Sequence, residues 1–175
     1  MQHVVGDIWD FVGRAPIVVP TNIGWTKAGN NVMGRGVAMQ AAQRFPDLPE
    51  WYGRFCKAHG ARTPVAFKAF GSTLRSSAII PWTWADLILF PVKPLNEEHP
   101  WLSWQSRASL SLIERSLQEL VDLIPKWPDP VKIVLPLVGC GNGGLSLGEV
   151  LPLLDKYLAP TNKFVLVTLT HRPGG

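Results

Sequence analysis

Apolar residues along the chain gather into short runs, and the runs are separated by glycine, proline and small polar residues. Val4-Val5 and Ile17-Val18-Val19 read as strands. So do Val65 to Phe70, Leu87 to Phe90, Lys132 to Val138, and Phe164 to Leu169. The later runs are almost continuously apolar, as expected for strands covered on both faces. Helical spacing falls between them. Val37 to Phe45 forms one segment, closed by Pro46. Asp47-Leu48-Pro49-Glu50 has the capping-box pattern and opens a second helix through Trp51 and Phe55. The longest predicted helix runs from about Ser103 to Ile124. Its Leu110, Ile113, Leu117, Leu120, Val121 and Ile124 recur every three or four residues as one stripe, and Pro125 ends it. Ser146-Leu147-Gly148-Glu149 is another capping box, with Pro152 inside the helix it opens, so an irregular first turn is expected there. Strands interleaved with helices predict a three-layer α/β/α fold around a largely parallel or mixed sheet, with ligands taken beyond the carboxyl ends of the strands.

Length and composition narrow the class. The 175 residues suit one domain, 1–175, with a substantial core, and there is no internal repeat or low-complexity linker. Apolar residues make up 46% and charged residues 17%, a globular balance. No apolar run reaches the roughly 18 residues of a membrane span, and the first residues lack the layout of a signal peptide, so a cytoplasmic location without membrane attachment is expected. Cys56 and Cys140 stand far apart and belong to no Cys/His cluster; they read as two reduced thiols, with neither a metal nor a cofactor called for. The formal charge of +4 favours anionic partners, although the lysines and arginines form no dense block.

Two loops carry the candidate chemistry. Leu135-Pro136-Leu137-Val138-Gly139-Cys140-Gly141-Asn142-Gly143-Gly144-Leu145-Ser146 runs from a buried strand through four glycines into a capped helix. Glycine permits positive φ and lets backbone N–H groups approach an anion closely, and the helix start adds partial positive charge. No Lys-Ser/Thr pair follows, so this is not a Walker loop; a ligand-free tight turn is the competing reading. A second glycine pair, Gly34-Arg35-Gly36, also precedes a helix. Two such loops suit a pyrophosphate-like group held from both sides.

In motif order the chain resembles the macrodomains. The resemblance rests on Gly6-Asp7-Ile8, Thr21-Asn22, Val32-Met33-Gly34-Arg35-Gly36-Val37-Ala38-Met39-Gln40, Phe90-Pro91-Val92-Lys93 and Gly139 to Leu145. It is most similar to the branch holding the antitoxins that remove ADP-ribose from DNA and the glutamate-ADP-ribose hydrolase. It implies the macrodomain fold, a mixed central sheet and a cleft for ADP-ribose or an ADP-ribosylated substrate. Asp7 would accept the adenine amino group beside Ile8, and Asn22 would reach the distal ribose. Gly34, Arg35 and Gly36 would line that ribose and the phosphates. Val138, Gly139, Cys140, Gly141, Asn142, Gly143 and Gly144 would wrap the diphosphate. Lys93 would be catalytic, acting at the anomeric carbon of the distal ribose. The activity implied is hydrolysis of ADP-ribose from a modified macromolecule, with DNA bases favoured. A non-catalytic ADP-ribose reader and an ADP-ribose-1″-phosphate phosphatase are the alternatives.

Gly143 stands where the glutamate-specific hydrolase carries an acid and the DNA-directed antitoxins do not. Two segments depart from the family pattern: the insertion Thr26 to Asn31, and Asn96 to Trp101. Pro94 follows Lys93 where the branch often has a second basic residue. His59 and His99 are acid/base groups by type and surface histidines by usual burial. Trp82, Trp84, Trp101 and Trp104 flank the Lys93 strand and could equally stack bases of single-stranded DNA or serve as core or interface. Single-stranded DNA and a cognate toxin are therefore candidate partners.

Overall fold

The computed structural model describes residues 1–61, 63–69, 85–122 and 132–169. Six strands form one mixed sheet: β1 (Gln2–Val5), β2 (Ile17–Asn22), β3 (Val65–Phe67), β4 (Leu87–Lys93), β5 (Ile133–Leu135) and β6 (Phe164–Thr168). Their order is β1-β6-β5-β2-β4-β3. All neighbours are parallel except β3, which runs antiparallel to β4 at the edge.

Alternation along the strands divides the core into two layers. Ile17, Val19, Leu87, Leu89, Val134, Val165 and Val167 face α1 (Gly36–Arg44) and α2 (Leu48–His59). Val18, Ile88, Phe90, Val92, Ile133, Leu135, Phe164 and Leu166 face α3 (Leu110–Asp122) and α4 (Leu147–Leu158). Both faces are covered, which is why these strands read as unbroken apolar runs. The three-layer α/β/α arrangement expected from the sequence is therefore present.

Several boundaries differ. β4 extends through Pro91 to Lys93. A proline is tolerated there because, among the described residues, β3 pairs only with Leu87 to Leu89 and does not reach Pro91. β5 stops at Leu135, where Pro136 ends pairing. β3 ends at Phe67, and Phe70 lies outside the described residues.

The long helix does not start at Ser103. Pro100–Gln105 is a separate 3-10 helix, and α3 begins at Leu110. Ser109 makes the new start: its side chain accepts from the Leu112 N–H and its carbonyl from the Ile113 N–H. Ile113, Leu117 and Leu120 are buried as the stripe requires, while Ile124 and Pro125 lie outside the described residues.

The Asp47 capping box does not form. Asp47 takes helical dihedrals (φ −79°, ψ −13°) and makes no side-chain cap bond, and Glu50 pairs instead with Arg54. The Ser146–Glu149 box forms in full. α4 stays continuous across Pro152, so the first turn is regular, and the proline falls in the second.

Candidate functional site

A cavity of about 510 Å³ opens beyond the carboxyl ends of β2, β4 and β5. Asn22 and Lys93 reach it from the ends of β2 and β4, and both glycine loops wall it. A register shift between Thr21 and Asn22 places Asn22 opposite Lys93, leaving Val92 as an extra residue. The Val92 carbonyl accepts from the Ser109 N–H and the Pro91 carbonyl from the Ser116 hydroxyl, so α3 pins the irregular strand end.

The Lys93 amine donates to the Trp104 carbonyl at 2.7 Å. Burial, then the nearby Arg35 guanidinium, lower its pKa below the ordinary lysine value. The Arg35 guanidinium lies 5.6 Å from the centre of the Trp104 ring. Lys93, Arg35 and Trp104 thus form one cluster, with an amine biased toward its neutral, nucleophilic form.

Asn22 is largely committed to the protein. Its Oδ1 accepts from the Gly24 N–H and from Asn31 Nδ2, and its Nδ2 donates to the Val32 carbonyl. One amide hydrogen remains for a ligand. Asn31, 2% exposed, also donates to the carbonyls of Asn22 and Gly24. The inserted turn is therefore a structural part of the site. It closes through Thr26 and Asn30 and packs backbone-to-backbone on α2, where a Cβ at Gly53 would lie 2.1 Å from the Gly29 carbonyl oxygen.

The first glycine loop runs straight into α1. Arg35 occupies the N-cap position without a side-chain cap bond, and Gly36, Val37 and Ala38 all line the cavity. The first-turn N–H groups of α1 are left for an anion by that arrangement.

Across the cavity, Gly139, Gly141 and Gly144 have φ of +79°, +65° and +77°. The loops come close, since a Cβ at Gly36 would lie 3.4 Å from Asn142 Nδ2. The N–H groups of Cys140, Gly143 and Gly144 close turns within the second loop. Burial, then Glu149, raise the Cys140 thiol pKa and keep it protonated, so it serves as lining rather than as a nucleophile.

Asn22, Gly34, Arg35, Gly36, Lys93, Gly139, Cys140, Gly141, Asn142 and Gly143 share the cavity. Four expected residues are not among its lining. Asp7 is exposed at the end of β1 and accepts the Trp9 N–H with Oδ1, capping a short 3-10 helix, Ile8–Phe11. Ile8 is buried in that helix. Val138 is fully buried in the α3/α4 layer, and Gly144 packs on the Arg107 side chain.

The lining that sequence reasoning passed over is mostly apolar: Val32, Val37, Pro136 and Leu137 have no chemical signature in a sequence. Trp104 could be picked out only as one of four tryptophans. Trp82 and Trp84 lie outside the described residues. His99 is exposed beside Trp101, and the His59 ring tilts against Phe55 of α2. Both cysteines are free thiols. Among the described residues no group of three His, Cys, Asp or Glu side chains could hold a metal, and no helix is long and apolar enough to cross a membrane.

No family model matches the chain. A curated relative from Thermosipho africanus, a DNA ADP-ribosyl transferase–DNA ADP-ribosyl glycohydrolase fusion protein, is 29% identical over 138 residues, covering 73% of this chain and 32% of the relative. The chain spans about a third of the length of the curated relatives it matches. Among solved structures, Thermosipho africanus DarTG in complex with ADP-ribose superposes with TM-score 0.69 at 25% identity, covering 97% of this chain and 42% of that one. The macrodomain of Thermus aquaticus DarG gives TM-score 0.64 at 26% identity, covering 95% and 96%.

Proposed function

Because the chain is similar in sequence and fold to the DarG macrodomains, we propose that it is a macrodomain and an ADP-ribosyl glycohydrolase that binds ADP-ribose and releases it from a modified macromolecule, DNA bases being the favoured acceptor. One macrodomain spans 1–175 in this reading. The names of the relatives support DNA as the acceptor. The observation that carries the chemistry is the Lys93 amine: it sits in the cavity, donates to Trp104 and has a lowered pKa.

The diphosphate lies between the start of α1 and the Gly139–Asn142 turn, and the distal ribose beside Lys93, Gly34, Arg35 and Gly36. Asn22 gives the ribose its one remaining amide hydrogen and otherwise holds the first loop in shape. The adenosine end runs toward Asp7 and Ile8, whose Asp7 Oδ2 has no protein partner among the described residues. The neutral Lys93 amine attacks C1″. The bond from C1″ to the acceptor base breaks, and the base leaves with the electron pair and takes the proton that the newly alkylated, positively charged amine gives up. Water then displaces the lysine, its oxygen bonding C1″ and its proton passing to the nitrogen, which gives free ADP-ribose and restores the amine. The hydrogen bond to the Trp104 carbonyl fixes one amine hydrogen and so directs the lone pair. A cognate ADP-ribosylating toxin is the partner that this activity implies, in the cytoplasm.

The test incubates the protein in parallel with ADP-ribosylated single-stranded DNA, ADP-ribosylated protein and ADP-ribose-1″-phosphate, with products identified by mass spectrometry. ADP-ribose is expected from the DNA. Lys93→Ala should lower that rate by at least about 100-fold, with ADP-ribose affinity within a few-fold, because the contact matters mainly in the transition state. Lys93→Arg should fail as well, since a guanidinium stays protonated. Normal release by Lys93→Ala overturns the mechanism, and release of inorganic phosphate alone makes the protein a phosphatase.

A further inference from the structure

The 3-10 helix Pro100–Gln105 carries two tryptophans three residues apart, Trp101 and Trp104. In such a helix residues i and i+3 eclipse, so the rings leave from one side, about 6 Å apart along the axis. Trp104 is the inner ring, half-buried and lining the cavity beside Lys93. Trp101 is the outer ring, 39% exposed. Each ring has its own cation: Arg35 stands 5.6 Å from the centre of Trp104, and the Lys27 ammonium 6.0 Å from that of Trp101. The His99 ring tilts against Trp101 at 5.1 Å. Two ring–cation pairs thus mark a line along the helix, the inner one beside the Lys93 amine and the outer one at the surface.

The line is built, not an accidental outcrop. The helix is docked on the first loop so tightly that a Cβ at Gly24 would lie 2.1 Å from the Pro100 carbonyl oxygen. Its register is therefore fixed to the same Asn22–Asn31 network that shapes the cavity. Lys27 comes from the inserted segment and Trp101 from the stretch at Asn96–Trp101, the two segments in which the chain departs from the family pattern. Neighbouring charge favours a polyanion on one side: Lys27, Arg35 and Lys93 lie along the line, and Arg107 borders the second loop. The acidic groups nearby are Glu149, held by Ser146 and Arg107, and the exposed Glu97 and Glu98 that precede the helix.

We propose that Trp101 and Lys27 form a subsite for the nucleotide next to the ADP-ribosylated one in a single strand. Its base stacks on Trp101, and its phosphate is met by Lys27 and Arg35. The subsite rests on the reading of DNA bases as the acceptor and adds a strand requirement to it. A base held in a duplex cannot offer its face to a side chain, whereas an unpaired base of any identity can. At 6.0 Å the Lys27 ammonium is loosely held on the ring and can turn to a phosphate.

The test compares three substrates: an ADP-ribosylated deoxynucleoside, an ADP-ribosylated single-stranded oligonucleotide, and that oligonucleotide with abasic residues flanking the modified base. Trp101→Ala should raise KM on the intact oligonucleotide by about 5- to 150-fold, the range for one stacked base, with kcat unchanged. Its kinetics on the deoxynucleoside should match those of the native protein, and Trp101→Phe should keep most of the affinity. The abasic substrate should impose the same loss on the native protein and none further on Trp101→Ala. Equal KM values for native and Trp101→Ala proteins on the intact oligonucleotide overturn the subsite, as does an equal loss on ADP-ribosylated protein. If the native protein releases ADP-ribose from neither DNA substrate, the glycohydrolase reading has failed on its own. Binding of the unmodified oligonucleotide then decides the subsite: at least about 5-fold weaker binding by Trp101→Ala supports it, and equal binding overturns it.

Discussion

The two glycine loops face one another across the cavity, yet their glycines answer to different constraints. In the second loop the protein itself demands them. Gly139 has φ +79° and a Cβ there would lie 2.6 Å from the Ile113 side chain; Gly143 has only 3.0 Å to Ala108. In the first loop Gly34 lies outside the left-handed region and has nothing within 4 Å of a Cβ. Glycine is unnecessary there for the fold alone, so the empty space is available to a ligand. Gly36, at the start of α1, is held to glycine by its φ of +58°, so the contrast is sharpest between Gly139, where glycine records internal packing, and Gly34, where it records outward clearance.

The contrast can be broken by substitution, and the largest effect should fall on the packed wall. Gly139→Ala combines a left-handed φ with a clash against a fully buried isoleucine. It should destabilise the protein by about 2–4 kcal/mol, lowering Tm by about 4–16 °C. An unchanged melting curve would remove the distinction between the loops. Gly141 tests the turn between the extremes, since its φ is +65° but nothing stands within 4 Å. Gly141→Val should fold with a loss of about 1–2 kcal/mol and bind ADP-ribose at least about 10-fold more weakly, by strain and by screening backbone N–H groups. Calorimetry on the folded variant checks this, and native affinity would show that the turn does not hold the diphosphate.

Arg35→Ala probes the electrostatics of the first loop. Arg35 is the second cause, after burial, that lowers the Lys93 pKa. Removing its charge raises that pKa, so less neutral amine is present at a given pH. The rising limb of the pH–rate profile should move to higher pH. No movement would assign the lowered pKa to burial alone. Gly34→Ala should have the smallest effect on the fold, within about 0.5 kcal/mol by denaturation, while weakening ADP-ribose binding measurably. Equal stability with equal affinity would mean that the clearance beside Gly34 is not used.

The sequence conveyed those features that depend on local pattern. Val18, Ile88 and Leu166 lie in runs apolar enough to require cover on both faces, and the layers follow from them. The Ser146–Glu149 box and the four glycines before it are local as well. The hidden features depend on distant contacts. Nothing around Asn22 reveals that its amide is spent on Gly24, Asn31 and Val32, because the inserted turn has first to pack on Gly53. Ser103 to Ile124 has a usable helical period, but the backbone turns away after Gln105 so that Trp104 can offer its carbonyl to Lys93. Asp47 has the right chemistry for a cap and the wrong dihedrals, and only the chain path from Phe45 into α2 sets those.

The extra residue in β4 sets a limit on how this chain can evolve. Odd-numbered residues Leu87 and Leu89 face one helical layer and Ile88, Phe90 and Val92 the other, so orientation is kept by count. Without the register shift after Thr21, Asn22 would meet Val92 in place of Lys93. Loss of one residue at 91 or 92 would leave an acceptable apolar strand and carry the lysine to the opposite face. Natural variants should therefore tolerate many substitutions in Phe90–Val92 but almost no change of length, and lineages that have lost the activity should be the ones to break that rule.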